Sequence, residues 1–401
     1  MTPISANGAM AMDRAHADRV AQAKSAFSVP DETLYLDCAA LAPRLRSVTL
    51  AGLAAIEASA TPWTLSWGAW EARVEALRDC AADLLFDGDR DGLAMVPSAS
   101  HGIATAARNF PITTGDAVLV LDGQFPSNLL PWQQRCADTG ARMIAVRRSA
   151  DQDWSDAICA ALDADPRVRV VALSHVDWID GALLDLDRIA PRVHACGAAL
   201  VLDLSQSLGV LPVNLAHWRP DFIIAVGFKW LLASHGLAWL WASPQWRGAG
   251  IAIDQHWSAR DAGEDWRFST ALAPPYRRGA RRFDAGGVAD APRLAMAQAA
   301  LDQIADWEVP WIAAQLRTLT TAFDEALDAH GLDAWKTRGH APHFTALRPP
   351  ANRLRAVADG LRRERVICTE RYGLLRIAPH LHVDTDDMRR VAAIAAKAAR
   401  D

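Results

Sequence analysis

Several stretches of this chain are apolar at every position rather than at alternate ones. ALVLD (199–203) and DFIIAVG (221–227) are the clearest. That pattern predicts strands buried on both faces of a parallel sheet. DAVLVLDGQFPSNLLPW (116–132) predicts a strand, a loop and the start of a helix. Residues 168–203 predict a strand, a helix and a strand, and a right-handed crossover puts both strands in one parallel sheet. Trp70, Val74, Leu77, Ala81 and Leu84 recur at intervals of three and four, the mark of an amphipathic helix packed on the core. MVPSASHGIATAARNF (95–110) reads as a short strand, a small polar turn and a helix. A loose helix is predicted over Met10–Phe27, ended by Pro30–Asp31. From 243 to 280 periodicity fades into a connection rich in Trp, Arg and Gly, in which Trp246, Trp257 and Trp266 could line a pocket or an interface. Past Pro292 come Ala- and Leu-rich helices (293–329). Short strands follow near His343–Leu347, Arg365–Thr369 and Gly373–Ile377, then a helix from Asp384. The whole predicts an α/β fold in three parts: an N-terminal segment (1–45) that packs on the small domain, a large domain (46–290) and a small C-terminal α+β domain (291–401).

Composition narrows the function classes. The 401 residues are 51% hydrophobic, enough for a large core. A net charge of −5 argues against nucleic acid or an anionic membrane as partner. Arg277, Arg278, Arg281 and Arg282 form the one basic patch of note. Six cysteines (38, 80, 136, 159, 196 and 368) show no CxxC, which predicts neither a disulfide framework nor a metal site. They suit a reducing cytoplasm. Nothing reads as a signal peptide, and the longest apolar run, around 221–233, is broken by Lys229, so no membrane span is predicted.

Two residues carry candidate chemistry. Asp203 ends one buried strand and Lys229 follows the next, 26 residues on. Sites in such sheets lie beyond the carboxyl ends of the strands, which predicts that the two are neighbours. Burial lowers a lysine's pKa toward the neutral amine that forms Schiff bases. An acid at the same depth can hold a protonated pyridine nitrogen. On these two residues alone, a plain buried ion pair is the alternative. The turn Ser98–Gly102 opens a helix, where free backbone N–H groups bind phosphate. An ordinary serine cap explains the same residues. No GxGxxG or Walker sequence is present, which argues against dinucleotide or NTP binding.

The words DLSQSLG (203–209), GFKWLL (227–232), FPSN (125–128), RRFDAGG (281–287) and LLRIAPH (374–380) take the reading further. From about Tyr35 to its end the chain resembles the class V aminotransferase family of fold-type I pyridoxal-phosphate enzymes. That family includes cysteine desulfurases, kynureninases and isopenicillin-N-epimerase-like proteins. The resemblance implies a mostly parallel seven-stranded large domain and pyridoxal 5′-phosphate as cofactor. It also implies a homodimer whose sites are completed across the subunit interface. Asp203 would hold the ring nitrogen, Gln206 the phenolic oxygen, and Lys229 would carry the cofactor in a Schiff base. Ala99, Ser100 and His101 would grip the phosphate and Phe125 would stack on the ring. Arg376 would clamp the substrate carboxylate, with Arg371 a weaker candidate, and Asn128 would also meet the substrate. YLDCAALAPRL (35–45) resembles the family's entry strand and active-site loop.

The departures from the family pattern are informative. Trp178 stands where desulfurases carry an asparagine that contacts the phenolic oxygen. Val226 and Phe228 replace a serine and a histidine beside the lysine. Gly287, Val288 and Ala289 lack the side chains that reach the phosphate from the partner subunit. Only Y-G-L-L separates Arg371 from Arg376, so the loop bearing a desulfurase's nucleophilic cysteine is missing, and Cys368 precedes that interval. The expected activity is that of an aminotransferase acting on an amino acid through a Schiff base. A lyase or epimerase of the same family, or a cofactor-binding protein without turnover, is the alternative.

Overall fold

The computed structural model describes residues 6–149, 152–263 and 268–400. Its main sheet has seven strands: β1 (Leu93–Val96), β2 (Ala117–Leu121), β3 (Arg142–Val146), β4 (Val168–Ser174), β5 (Ala199–Asp203), β6 (Phe222–Val226) and β7 (Ala238–Ala242). Their spatial order is β1-β7-β6-β5-β4-β2-β3. Only β7 runs against its neighbours, β1 and β6. Alternate residues of each strand face two different apolar clusters. Leu200, Leu202, Ile223 and Ala225 point to one, while Val201, Phe222, Ile224 and Val226 point to the other. Helices cover both faces, and for that reason these strands read as unbroken apolar runs.

The helix Ala99–Asn109 lies against β6 at Gly102, where an added Cβ would meet Ile224 Cγ1 at 2.8 Å. This close approach sets the N-terminus of the helix beside the carboxyl ends of β5 and β6. The helix Leu186–Ala195 covers the opposite face and links adjacent parallel strands β4 and β5, the expected crossover. The amphipathic helix around Trp70 spans Trp67–Leu85.

A second, three-stranded antiparallel sheet joins Glu370–Arg371, Leu374–Ile377 and Thr345–Leu347. The helices Val309–Ala329, Ala351–Arg363 and Thr385–Arg400 belong to this C-terminal part, whereas Ala291–Trp307 packs on the helices Arg46–Ser59 and Trp67–Leu85. The N-terminal segment returns to it: Leu34–Tyr35 pairs in parallel with Val366–Ile367. The strand expected over Arg365–Thr369 is reduced to Val366–Ile367, since Arg365 takes a left-handed φ of 57° that ends the extended run. The N-terminal helix starts earlier than expected and covers Ala6–Ser25.

The connection from 243 to 280 is less loose than its composition predicts. It holds a short helix, Pro244–Ala249, whose Trp246 stacks on Phe222 (ring centroids 5.7 Å) within the core. Trp257 packs on Trp67 and Trp70, and Trp266 lies outside the described residues. The basic patch is mostly paired with acids. Arg277 pairs with Glu71, Arg278 with Asp91, Arg281 with Glu75 and Asp91, and Arg282 sits over the Tyr276 ring.

Candidate active site

A cavity of about 390 Å³ opens at the carboxyl ends of β4, β5 and β6. Register fixes what reaches it. Asp203 pairs with Ser174 on β4 and with Ile224 on β6, so β4 and β5 end level with each other while β6 runs on to Val226. Past β6, Gly227 donates its N–H to Leu237 O and the chain turns sharply, presenting Lys229 to the cavity. A Cβ at Gly227 would meet that carbonyl at 2.9 Å, so a side chain there would spoil the turn.

Lys229 is 8% exposed. Burial draws its pKa down to about 8, against the upward pull of Asp203. Its Nζ stands 5.3 Å from the centre of the Phe125 ring. Among the described residues no carboxylate lies within 4.0 Å of its Nζ, although Asp203 is near enough to act on it electrostatically. Burial raises the pKa of Asp203, opposed by its bond from Ser205 N (2.9 Å) and by Lys229. Gln206 is braced at both ends of its amide: Nε2 donates to Ala39 O and Oε1 accepts from Trp230 Nε1, each at 2.9 Å.

At the helix N-terminus, Ser98 and Ala99 line the cavity. Ser98 Oγ accepts from His101 N (3.1 Å) and bonds to Ser100 Oγ (2.9 Å). Ser100 is exposed and His101 half-buried, and both sit beside the cavity rather than in its lining. Val226 and Phe228 give that end an apolar wall. Phe125 meets Trp178 edge-on at 5.1 Å, and Trp178 Nε1 donates to Gly123 O, so its indole N–H is already engaged.

Asn128 requires a correction. Expected at the substrate, it is wholly buried and absent from the cavity lining, with Oδ1 accepting from Trp132 Nε1 at 3.3 Å. It lies one turn into the helix Pro126–Thr139, on the side that faces the core, and Ser127 takes the position on the cavity.

Arg376 does line the cavity and is 3% exposed. Its Nη2 donates to Asp37 Oδ1 at 2.6 Å, its Nη1 to Trp178 O at 3.3 Å, and its buried Nε has no hydrogen-bond partner among the described residues. Asp37 also accepts from Thr369 Oγ1. Sequence reasoning missed Asp37. The one available signal was an acid inside the apolar word LYLDCAAL (34–41). The Asp of RRFDAGG proves structural: Asp284 binds Arg78 and Met95 N, both at 2.8 Å.

These residues fit a pyridine aldehyde phosphate. A desolvated lysine, a deep carboxylate, an aromatic ring, a helix N-terminus with a serine hydroxyl and an unpartnered arginine N–H converge on one cavity. Among the described residues no cluster could hold a metal ion.

Fold and site together define a fold-type I pyridoxal-phosphate protein. The chain belongs to the class-V aminotransferase family, whose model matches residues 34–342, and pyridoxal phosphate is accordingly its cofactor. It is 27% identical over 315 residues to the uncharacterized aminotransferase YcbU of Bacillus subtilis, covering 78% of this chain and 81% of that protein. It is 28% identical over 249 residues to a cysteine desulfurase of Klebsiella pneumoniae, covering 59% of each chain. The apo cysteine desulfurase of Thermococcus onnurineus superposes with a TM-score of 0.79 at 16% identity, over 94% of this chain and 98% of that one.

Proposed function

We infer that this chain is an aminotransferase acting on an amino acid. One observation carries the reading: Lys229 is the one side chain lining the cavity, among the described residues, that is suited to exchange a proton with substrate near neutral pH. The other ionisable groups of the lining are Asp203, Arg371 and Arg376. Arginines stay protonated, and Asp203 is given to the ring nitrogen.

When bound, pyridoxal phosphate supplies an electron-withdrawing ring that stabilises negative charge at the substrate's α carbon. Asp203 favours a positive charge on the ring nitrogen, and Gln206 is aligned by Ala39 and Trp230. The unpartnered Nε–H of Arg376 is offered to the substrate carboxylate. Lys229 Nζ, once neutral, removes the α proton. Across from it stand Phe125 and Trp178, which neither donate nor accept that proton. Epimerisation with a base on each face therefore lacks its second member, whereas one base that takes a proton and returns it elsewhere suits amino transfer. Cys368 opposes a desulfurase reading, because it lies outside the cavity lining and burial pushes its thiol up to about 12.

A homodimer belongs to this reading. The helix Arg46–Ser59 exposes Leu50, Leu53 and Ile56, with Trp63 and Trp67 following, and an apolar surface of that extent supports burial against a second copy. Six free cysteines support a reducing, cytoplasmic setting. No helix among the described residues is long and apolar enough to cross a membrane.

The test supplies cofactor-loaded protein with an amino-acid panel and keto-acid acceptors, and follows new amino acids by mass spectrometry. Amino transfer that survives Cys368→Ser is expected. Ammonia-releasing elimination, loss of chirality without transfer, or alanine and sulfide formed from cysteine only when Cys368 is present would each overturn the reading.

A further inference from the structure

The cavity holds more positive charge than its own residues balance. Arg376 is matched by Asp37 at 2.6 Å, and Lys229 faces Asp203 within the same lining. Arg371 lines that cavity as well. Among the described residues it has no carboxylate within 4.0 Å, and its guanidinium donates only to the backbone oxygen of Glu370, at 2.9 Å.

Its position is fixed by the hairpin that carries it. Arg371 pairs with Leu374, and the two residues between them, Tyr372 (φ 49°) and Gly373 (φ 79°), are both left-handed. A two-residue turn of this kind matches the twist of its strands and holds the register of the pair. At the tip, Tyr372 is 77% exposed but meets Trp178 edge-on at 6.1 Å, and Trp178 meets Phe125 at 5.1 Å. A row of three aromatic rings thus runs from the lysine to the hairpin. The positive charge of Arg371 adds to the burial that disfavours charge on Arg376, and an anionic ligand between them offsets that effect.

We propose that Arg371 is a second anion anchor, and that the substrate is an amino acid whose side chain ends in an acidic group after an apolar stretch. The aromatic row accommodates the apolar stretch, Arg376 takes the α-carboxylate and Arg371 takes the distal acid. Exposure suits the role, since the cation stays hydrated until an anion arrives and no desolvated charge is left stranded in the free protein.

This inference rests on the amino-acid reading above, and its test separates the two. Glutamate and 2-aminoadipate are compared with norvaline and norleucine on the cofactor-loaded protein. Turnover is measured as kcat/KM, and binding by isothermal titration and by the change in cofactor absorbance. The wild type should favour the dicarboxylic pair by tenfold or more. Arg371→Gln should lose about 10- to 100-fold on that pair, the usual worth of a charge-assisted contact, against threefold or less on the neutral pair. Arg371→Lys should restore part of the loss. Equal losses on both pairs would assign Arg371 to the α-carboxylate and overturn the second anchor, as would no loss at all. A wild type that binds none of the four would instead bring down the amino-acid reading on which the inference stands.

Discussion

Arg376 and Asp37 form a buried ion pair, Nη2 to Oδ1 at 2.6 Å, with side chains 3% and 10% exposed. It ties the loop after Leu36 to the strand Leu374–Ile377, 339 residues apart in sequence. Removing one partner of such a pair leaves the other charge buried and uncompensated. Asp37→Ala should therefore destabilise the protein by roughly 3–5 kcal/mol. Asp37→Asn, which can still accept from Arg376 and Thr369, should cost less. Denaturant unfolding of both variants checks this, and an Asp37→Ala loss below about 1 kcal/mol would deny the pair its role.

Asp203→Asn should leave the fold intact, because the amide can still accept from Ser205 N. Turnover should fall by at least 100-fold, since a neutral partner no longer favours a proton on the ring nitrogen. Steady-state kinetics with circular dichroism as a fold control decides the point. Unchanged kcat in the variant would remove Asp203 from the chemistry.

A buried histidine group predicts acid sensitivity. Burial lowers His343 to about 3 and both His175 and His382 to about 4, and it depresses His380 as well. Unfolded histidines titrate near 6.5, so between there and about 4 the unfolded chain binds more protons than the folded one. Stability is complete above about 6.5 and falls as pH drops through that window, by about 1–2 kcal/mol per histidine on going from pH 7 to pH 5. Asp177 opposes this in part. Burial beside Asp180 raises its pKa to about 6, so its strain eases as it protonates. Unfolding free energies at pH 7 and 5 should differ by several kcal/mol, and His343→Phe should flatten the slope. Equal stability at the two pH values would rule the mechanism out.

How much was legible in the sequence follows from where each residue's partners lie. β5 and β6 were readable because both faces of each strand are apolar, and parallel register then made Asp203 and Lys229 neighbours. The turn at Ser98 was readable from its small residues, although Ser100 and His101 turned out to flank the cavity rather than line it. Asn128 misled because the sequence does not say which side of a helix's first turn faces the core; Trp132, one turn on, holds it inside. Asp37 was invisible because its partner is remote, and nothing local distinguishes an acid bound for an arginine from one bound for solvent. The short strand near 366 was overextended, and the one at Glu370–Arg371 missed, for a backbone reason: Arg365 and Tyr372 adopt positive φ, which no hydropathy pattern reports.

The central claim is that Lys229 binds the cofactor covalently, and the sequence makes this unusually easy to test. The chain has four lysines, Lys24, Lys229, Lys336 and Lys397, and of these only Lys229 lines the cavity. Cofactor-loaded protein is reduced with borohydride, digested and mapped by mass spectrometry. The account predicts a stoichiometric reduced-cofactor adduct on Lys229 and none in Lys229→Ala, whose fold is retained. An adduct on another lysine, or one that persists in Lys229→Ala at wild-type yield, would contradict it.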